Sequence, residues 1–209
     1  MLLTGLEEVE LGIMKSNEDE TIAQADIYTL NAENGGPTEF QIQGLSPELS
    51  KVFGGDAPRR STGRGTGNVN GSFNVDDFPS VVLHRILGMV QDESTSIWSM
   101  SSATEAPYVS VKIKSHGGDG KAIWMILPKV KFARGDINPK TNTETQQDSS
   151  DALTYTAQTR NSDGKPYLEG LESEGVTEAG IFKAAFGIDK SSTTTTKAPT
   201  TTTTTKAGQ

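Results

Sequence analysis

The sequence predicts a mainly β (α+β) domain with a clear helical repeat near its middle and an unstructured tail. Stretches of alternating apolar and polar residues recur along the chain with the period of two that a strand requires, whereas a single stretch repeats apolar residues at spacings of three and four. After about residue 188 the composition collapses, since ten of the nineteen residues of Ser191–Gln209 are threonine. Such a segment buries too little apolar surface to offset the entropy of ordering. The division expected is therefore a domain at 1–188, with a long loop at 46–67, and a disordered tail at 189–209.

From the amino end, Glu8–Ile13 puts Val9, Leu11 and Ile13 on one face and Glu8, Glu10 and Gly12 on the other, as in a strand. In Thr21–Leu30 both faces carry apolar residues, which predicts a strand covered on both sides. Asn34, Gly35, Gly36 and Pro37 form a strong turn signal, and Phe40 with Ile42 continues the alternation, so these two strands are expected to pair as a hairpin. Ser46–Gly67 reads as a long connection whose apolar residues are confined to Leu49, Val52 and Phe53. Asn68–Val75 alternates strictly and predicts a strand. Pro79–Val90 is the helix, with Leu83, Ile86, Leu87 and Val90 at helical spacing, Asp77 near the cap and Gly88 at the end of the pattern.

Gln91–Glu105 is rich in Ser and Thr around Ile97, Trp98 and Met100, which predicts a short strand inside a loop. Ala106–Asp136 reads as a long hairpin. Val109, Val111 and Ile113 alternate with Ser110, Lys112 and Lys114 as on a strand buried on one face; Gly117–Gly120 turns the chain; Trp124, Ile126, Val130 and Phe132 line the return, where Pro128 marks an edge or a bulge. Asn138–Ser150 is polar, and Leu153–Ala157 gives a late strand with Thr154 and Thr156 on its other face. Glu178–Ile188 fits either a helix, through Phe182 and Phe186, or a strand; its alanines favour the helix.

The long hairpin, with its Ala106-Pro107-Tyr108-Val109 opening, its Gly/Asp/Lys turn and its Lys131-Phe132-Ala133 close, resembles the major tail proteins of phages with long, non-contractile tails. The strand Asn70–Val75, the Asp76–Asp77 junction, the helix ending in Leu87-Gly88 and the strand near Leu153–Ala157 stand in the same order, so the likeness spans Leu6–Gly187. This resemblance implies a β-sandwich of two packed sheets with one flanking helix. It also implies a structural virion protein whose six copies close into a ring, with rings stacking into a tube that passes DNA. Implied partners are the chain itself, the tape-measure protein and DNA in the lumen without tight binding, and tail terminator and distal tail proteins at the ends. The family also implies that some members exist in a longer form.

Under that reading the polar strand faces at Glu39, Gln41 and Gln43 and at Asn68, Asn70, Ser72 and Asn74 are candidates for the lumen. Arg59, Arg60 and Arg64 form the sole basic cluster; they either belong to a solvated loop or pair with acidic residues of a neighbouring copy. A net charge of −8 argues against a chain that grips nucleic acid, since phosphate binding needs clustered Lys and Arg. The absence of cysteine excludes disulfides and thiolate metal sites. The Met1–Gly5 start lacks the basic segment and apolar run of a signal peptide and no apolar stretch reaches the roughly 20 residues of a membrane span, so an unexported chain without a membrane is expected, assembled in the host cytoplasm.

Catalysis finds little footing. His84 and His116 lack a ligand pattern, so no metal site is expected; Gly63, Gly65 and Gly67 miss the dinucleotide spacing, so no cofactor is expected either. Asp76 with Asp77, and Asp148 with Asp151, read more simply as caps and solvated loops than as paired carboxylates of a hydrolase. The alternative from another class is a β-sandwich receptor- or carbohydrate-binding module, which needs a fixed cluster of exposed aromatics; Trp98, Tyr108 and Tyr167 are the candidates.

Overall fold

The computed structural model describes residues 2–47, 50–54, 57–62, 65–135 and 151–190, the side chains of 50–54, 57–62 and 151 excepted. In chain order the strands are β1 (Leu3–Met14), β2 (Ile22–Asn31), β3 (Pro37–Gln43), β4 (Ser50–Gly54), β5 (Ala57–Thr62), β6 (Asn70–Val75), β7 (Val90–Gln91), β8 (Trp98–Ser99), β9 (Val109–Gly117), β10 (Ala122–Arg134), β11 (Asp151–Ala157) and β12 (Leu168–Leu171). Helix α1 (Ser80–Ile86) follows β6 and α2 (Glu178–Phe186) follows β12. One large antiparallel sheet runs β2-β1-β9-β10-β11-β6-β3, with β12 also pairing β10; β4-β5 and β7-β8 are separate two-stranded sheets. The mainly β expectation stands, and the arrangement fits a β-sandwich made largely from one sheet folded round its core.

The fold turns on β10. Its first half pairs β12 at Ile123–Ile126, its second half pairs β11 at Val130–Arg134, and the register against β9 slips between Leu127 and Val130. Pro128 sits in that slip. It is a bulge in a strand paired on both sides, not an edge, and bulges are how a strand bends from one layer into the next. The main core then gathers residues from both arms of the sheet: Val9, Leu11 and Leu30 meet Phe73, Val75 and Leu153, with Leu83 and Ile86 of α1 closing one side. Phe73 is fully buried and stacks at ring-centroid distances of 5.0 Å on Phe40 and 5.9 Å on Phe78.

A second cluster lies on the other face of β1, β9 and the first half of β10, where Ile181, Phe182, Ala185 and Phe186 of α2 cover Met14, Ile22, Trp124 and Ile126. Two glycines make room for this helix. A Cβ on Gly12 would lie 2.7 Å from Phe186 Cδ1, and one on Gly170 would lie 2.6 Å from Ile181 Cδ1. Thr177 caps α2 by accepting from Gly180 N, which resolves the ambiguity at 178–188 as helix.

Several expectations need correction. The Asn34–Pro37 turn is real, with Gly35 and Gly36 at φ +87° and +57°, yet β2 and β3 do not pair; β2 pairs β1 and β3 pairs β6. Asp76 N and Asp77 N donate to Gly36 O and Gly35 O, so the turn carries the chain across to the other arm of the sheet instead of reversing it. Strand β2 is an edge strand that is covered on both faces only in part: Leu30 joins the main core on one face and Ile22 the cluster under α2 on the other, while Ala23–Ala25 are exposed. The opposite error holds for β9, where Ser110 and Lys112 are buried because α2 lies over the face that reads as solvent-exposed. Helix α1 is shorter than Pro79–Val90. Pro79 takes the cap position, no side chain caps it, and Gly88 at φ +73° ends it where Glu105 O leaves no room for a Cβ. The expected loop at 46–67 contains the β4-β5 hairpin, and β12 has no counterpart in the sequence reading.

Candidate functional site

The polar residues on the outer side of β3 and β6 come together because the register aligns them. Glu39 stands opposite Asn74, Gln41 opposite Ser72 and Gln43 opposite Asn70. Asn74 Nδ2 donates to Glu39 Oε2 at 3.0 Å, Ser72 Oγ to Gln41 Oε1 at 3.3 Å, and Asn70 Nδ2 to Asn68 O at 2.8 Å. All seven residues expected from the sequence thus fall on one surface.

The same rows continue across two further strands that the sequence reading left out. Asn74 faces Ala152, Ser72 faces Thr154, Asn70 faces Thr156, and beyond them lie Ala133 and Lys131 of β10. The signal was present in the alternation of Thr154 and Thr156 with Leu153 and Tyr155; what was missing was the strand order that joins β11 to β6. Between them a shallow depression is lined by Asn68, Asn70, Lys131, Ala133, Thr154 and Thr156. Amides, hydroxyls and methyls dominate the surface.

Its few charges are held locally. Lys131 Nζ lies 2.5 Å from Glu105 Oε1 and 4.5 Å from the Tyr108 ring centroid. The Lys131 hydrogen bond and charge in turn pull the Glu105 carboxyl below its ordinary value. Beneath the surface, Tyr155 Oη donates to Gln41 O at 2.8 Å, tying edge strand β3 down, and burial pushes the Tyr155 phenol above its ordinary value. Gly71 is required where this edge is tight, since a Cβ there would stand 1.8 Å from Gln41 O. Strand β3 pairs with β6 alone and β2 with β1 alone, so each end of the sheet has one unpaired edge among the described residues.

The basic cluster belongs to another segment, of which only the backbone is described in part. Arg59 and Arg60 lie on β5 in the separate β4-β5 hairpin, and Arg64 lies outside the described residues. The three aromatics of the binding-module reading are engaged separately: Trp98 stacks on His84 at 4.9 Å, Tyr108 Oη donates to Gln158, and Tyr167 Oη to Glu169. His116 Nε2 lies 3.1 Å from Glu7, remote in the fold from His84, and no group of three His, Asp or Glu that could hold a metal occurs among the described residues. Asp148 falls outside those residues.

Beneath α2 lies a cluster of charges that no sequence pattern announces. Lys112 Nζ is wholly buried; it bonds Glu10 and lies 3.5 Å from Glu8 and 3.6 Å from Glu178. Burial raises the Glu10 carboxyl above its ordinary value, with Lys112 pulling the other way. Lys190 bonds Glu178 from outside and lowers it. This cluster holds the helix to the sheet.

A family model described as phage tail tube protein matches residues 1–174. No curated protein matches the chain.

Proposed function

Because the chain belongs to the phage tail tube protein family, a family of structural virion proteins that self-assemble, we propose that six copies close into a ring and that rings stack into a tube through which DNA passes during ejection. The observation that carries the finer reading is the contiguous, nearly uncharged polar face of β3, β6, β11 and the end of β10, bounded by an unpaired edge. Turned inward, it lines the lumen. Its amides and hydroxyls bond one another, and it lacks the clustered cations that would retain phosphate, so DNA and a tape-measure protein slide without sticking. The unpaired edges of β2 and β3 supply strand pairing between copies, which removes them as templates for aggregation.

In this scheme α2 lies on the outer wall, and the hairpin with Arg59 and Arg60, together with Arg64, reaches acidic residues on a neighbouring copy. Tail terminator and distal tail proteins bind the two ends. The tail expected at 189–209 lies outside the described residues from 191 onward, and assembly takes place in the host cytoplasm.

The test uses the absence of native cysteine. Single cysteines at Gln41 and Thr154, with Lys183→Cys on α2 as the outer control, are reacted with a bulky polymer-linked maleimide before and after assembly. Negative-stain images should show rings or tubes about 100 Å wide, the scale set by six domains of this size around a channel. Assembly should shield positions 41 and 154 and leave 183 reactive. Equal reactivity of all three in tubes rules out the lumen assignment, and strictly monomeric particles over a wide concentration range rule out the tube.

A further inference from the structure

The most exposed large apolar side chains, with Leu45 and Val81 exposed separately, fall into two groups at opposite ends of the domain. Val90, Ile97 and Met100, exposed by 67, 63 and 60 %, belong to the β7-β8 hairpin; Leu2 and Leu3 sit at the start of β1. Register fixes their separation. Leu3 pairs with Gly117 beside the β9-β10 turn, and Leu2 Cδ2 packs 3.1 Å from where a Gly118 Cβ would stand, so these leucines mark one tip. The β7-β8 hairpin belongs to the other end, where Ile13 pairs with Val109: Asn17 donates to Glu105, Glu105 O abuts Gly88, and the Arg134 charge at the end of β10 acts with burial to lower the pKa of His84, which stacks on Trp98. Ten residues of β1 between Leu3 and Ile13 span about 33 Å at strand rise.

The β7-β8 hairpin is built to hold its shape. Asp92 accepts from Ser94 N, Ser94 Oγ and Thr95 N, and these bonds pull its carboxyl down to about 2. Gln91 Nε2 donates to Ser96 O, and the Trp98–His84 stack fixes the hairpin against α1. A rigid element that presents three apolar side chains to water is a docking element.

We propose that this hairpin packs end to end against the Leu2–Leu3 tip of a second copy of the chain. The proposal rests on the assembly reading above and names one of its contacts. A head-to-tail interface joins two different surfaces of the same chain, and two apolar patches at opposite ends supply such a pair. Charge agrees at one pair: Glu93 beside the hairpin turn and Lys121 beside the β9-β10 turn are exposed, and neither makes an ion pair among the described residues, while Asp119 of the same turn accepts from Lys121 N.

Ile97→Asp and Met100→Asp, tested singly, place an anion in the contact without touching the core, and thermal melts confirm that the domain folds. Assembly followed by light scattering and negative stain should show the critical concentration for tubes rising by about tenfold or more, the factor that 1.4 kcal/mol of lost contact produces, while small closed oligomers persist. Glu93→Lys should raise it about two- to fivefold, as for an exposed pair, and the double reversal with Lys121→Glu should restore most of the loss. Wild-type tubes alongside unchanged assembly of both aspartate variants would overturn the proposed contact. Wild-type protein that never forms rings or tubes would overturn the assembly reading instead.

Discussion

Replacing Lys112 by Met should be among the most damaging single changes in the chain, although the new side chain is apolar and of similar length. Lys112 is wholly buried, and Glu10, its register partner on β1, is only 6 % exposed in its side chain. Without the cation, Glu10, Glu8 and Glu178 converge on one point under α2, and Lys190, which bonds Glu178, and the charge of Lys114 remain to offset them in part. Removing one partner of a buried pair costs about 3–5 kcal/mol, a large share of the roughly 5–15 kcal/mol that holds a typical domain.

The cost should depend on pH in a defined direction. Glu10 in the native protein already titrates above its ordinary value of 4.5 because of burial, and losing the Lys112 charge, which lowers it, raises it further. Between 4.5 and the native value the folded variant binds more protons than the unfolded chain, so its stability rises as pH falls through that window. Urea unfolding at pH 7.5 and pH 5 measures this, and the penalty relative to the parent should shrink at the lower pH. Adding Glu10→Gln to Lys112→Met should recover most of the loss at pH 7.5, since the uncompensated charge is then gone. A penalty below about 1 kcal/mol, or one equal at both pH values, would refute the charge argument.

Gly71→Ala should cost up to about 3 kcal/mol, because the new methyl group meets backbone at Gln41 O and must push β3 away from β6. Hydrogen exchange should show the β3 amides losing protection first, and a variant with parental stability and a protected β3 would contradict the geometry. Glu178→Gln tests the clamp on α2 from the acid side. The Lys190 hydrogen bond, together with the Lys112 charge, holds Glu178 below 4.5 in the native protein, so its contribution is present above pH 4.5 and is lost as pH falls through the depressed native value. The variant should melt lower at neutral pH and converge on the parent as pH falls below the depressed native value; melting curves that stay parallel as the pH is lowered would exclude the effect.

How much was legible in the sequence depended on whether a strand's two faces announced their neighbours. Asn68–Val75 and Leu153–Ala157 were readable because one face packs the core and the other meets water, which is what alternation encodes. From the polar halves of these strands, Gln41, Asn70, Ser72 and their neighbours could be gathered as a candidate surface, but its continuation to Thr154 and Lys131 depends on a strand order that local patterns do not carry. Ser110 and Lys112 misled for the complementary reason. Their polarity matches a solvated face, yet Ser110 Oγ donates to Ala185 O and Lys112 finds its anions on β1 and α2. The Asn34–Pro37 turn was correctly placed and wrongly connected, since Gly35 and Gly36 permit a change of direction without specifying which strand receives it.

The bulge at Pro128 explains why one sheet offers two such different outer surfaces. Before it, the outer side of β10 carries Trp124 and Ile126, which α2 shields from water; after it, the same side carries Lys131 and Ala133, over which no helix lies among the described residues. Covering both halves would bury Asn70, Ser72 and Thr154 at a cost of about 1–3 kcal/mol for each polar group left unpaired, whereas exposing both would leave Phe182, Phe186 and Trp124 in water. The chain therefore commits one half of the sheet to the clamp with α2 and leaves the other half without a helix among the described residues. On that half Asn74 donates to Glu39 and Ser72 to Gln41, so part of its hydrogen-bonding capacity is met within the sheet. The proposed lumen wall needs that property, and it follows from the register of four strands instead of from any single residue.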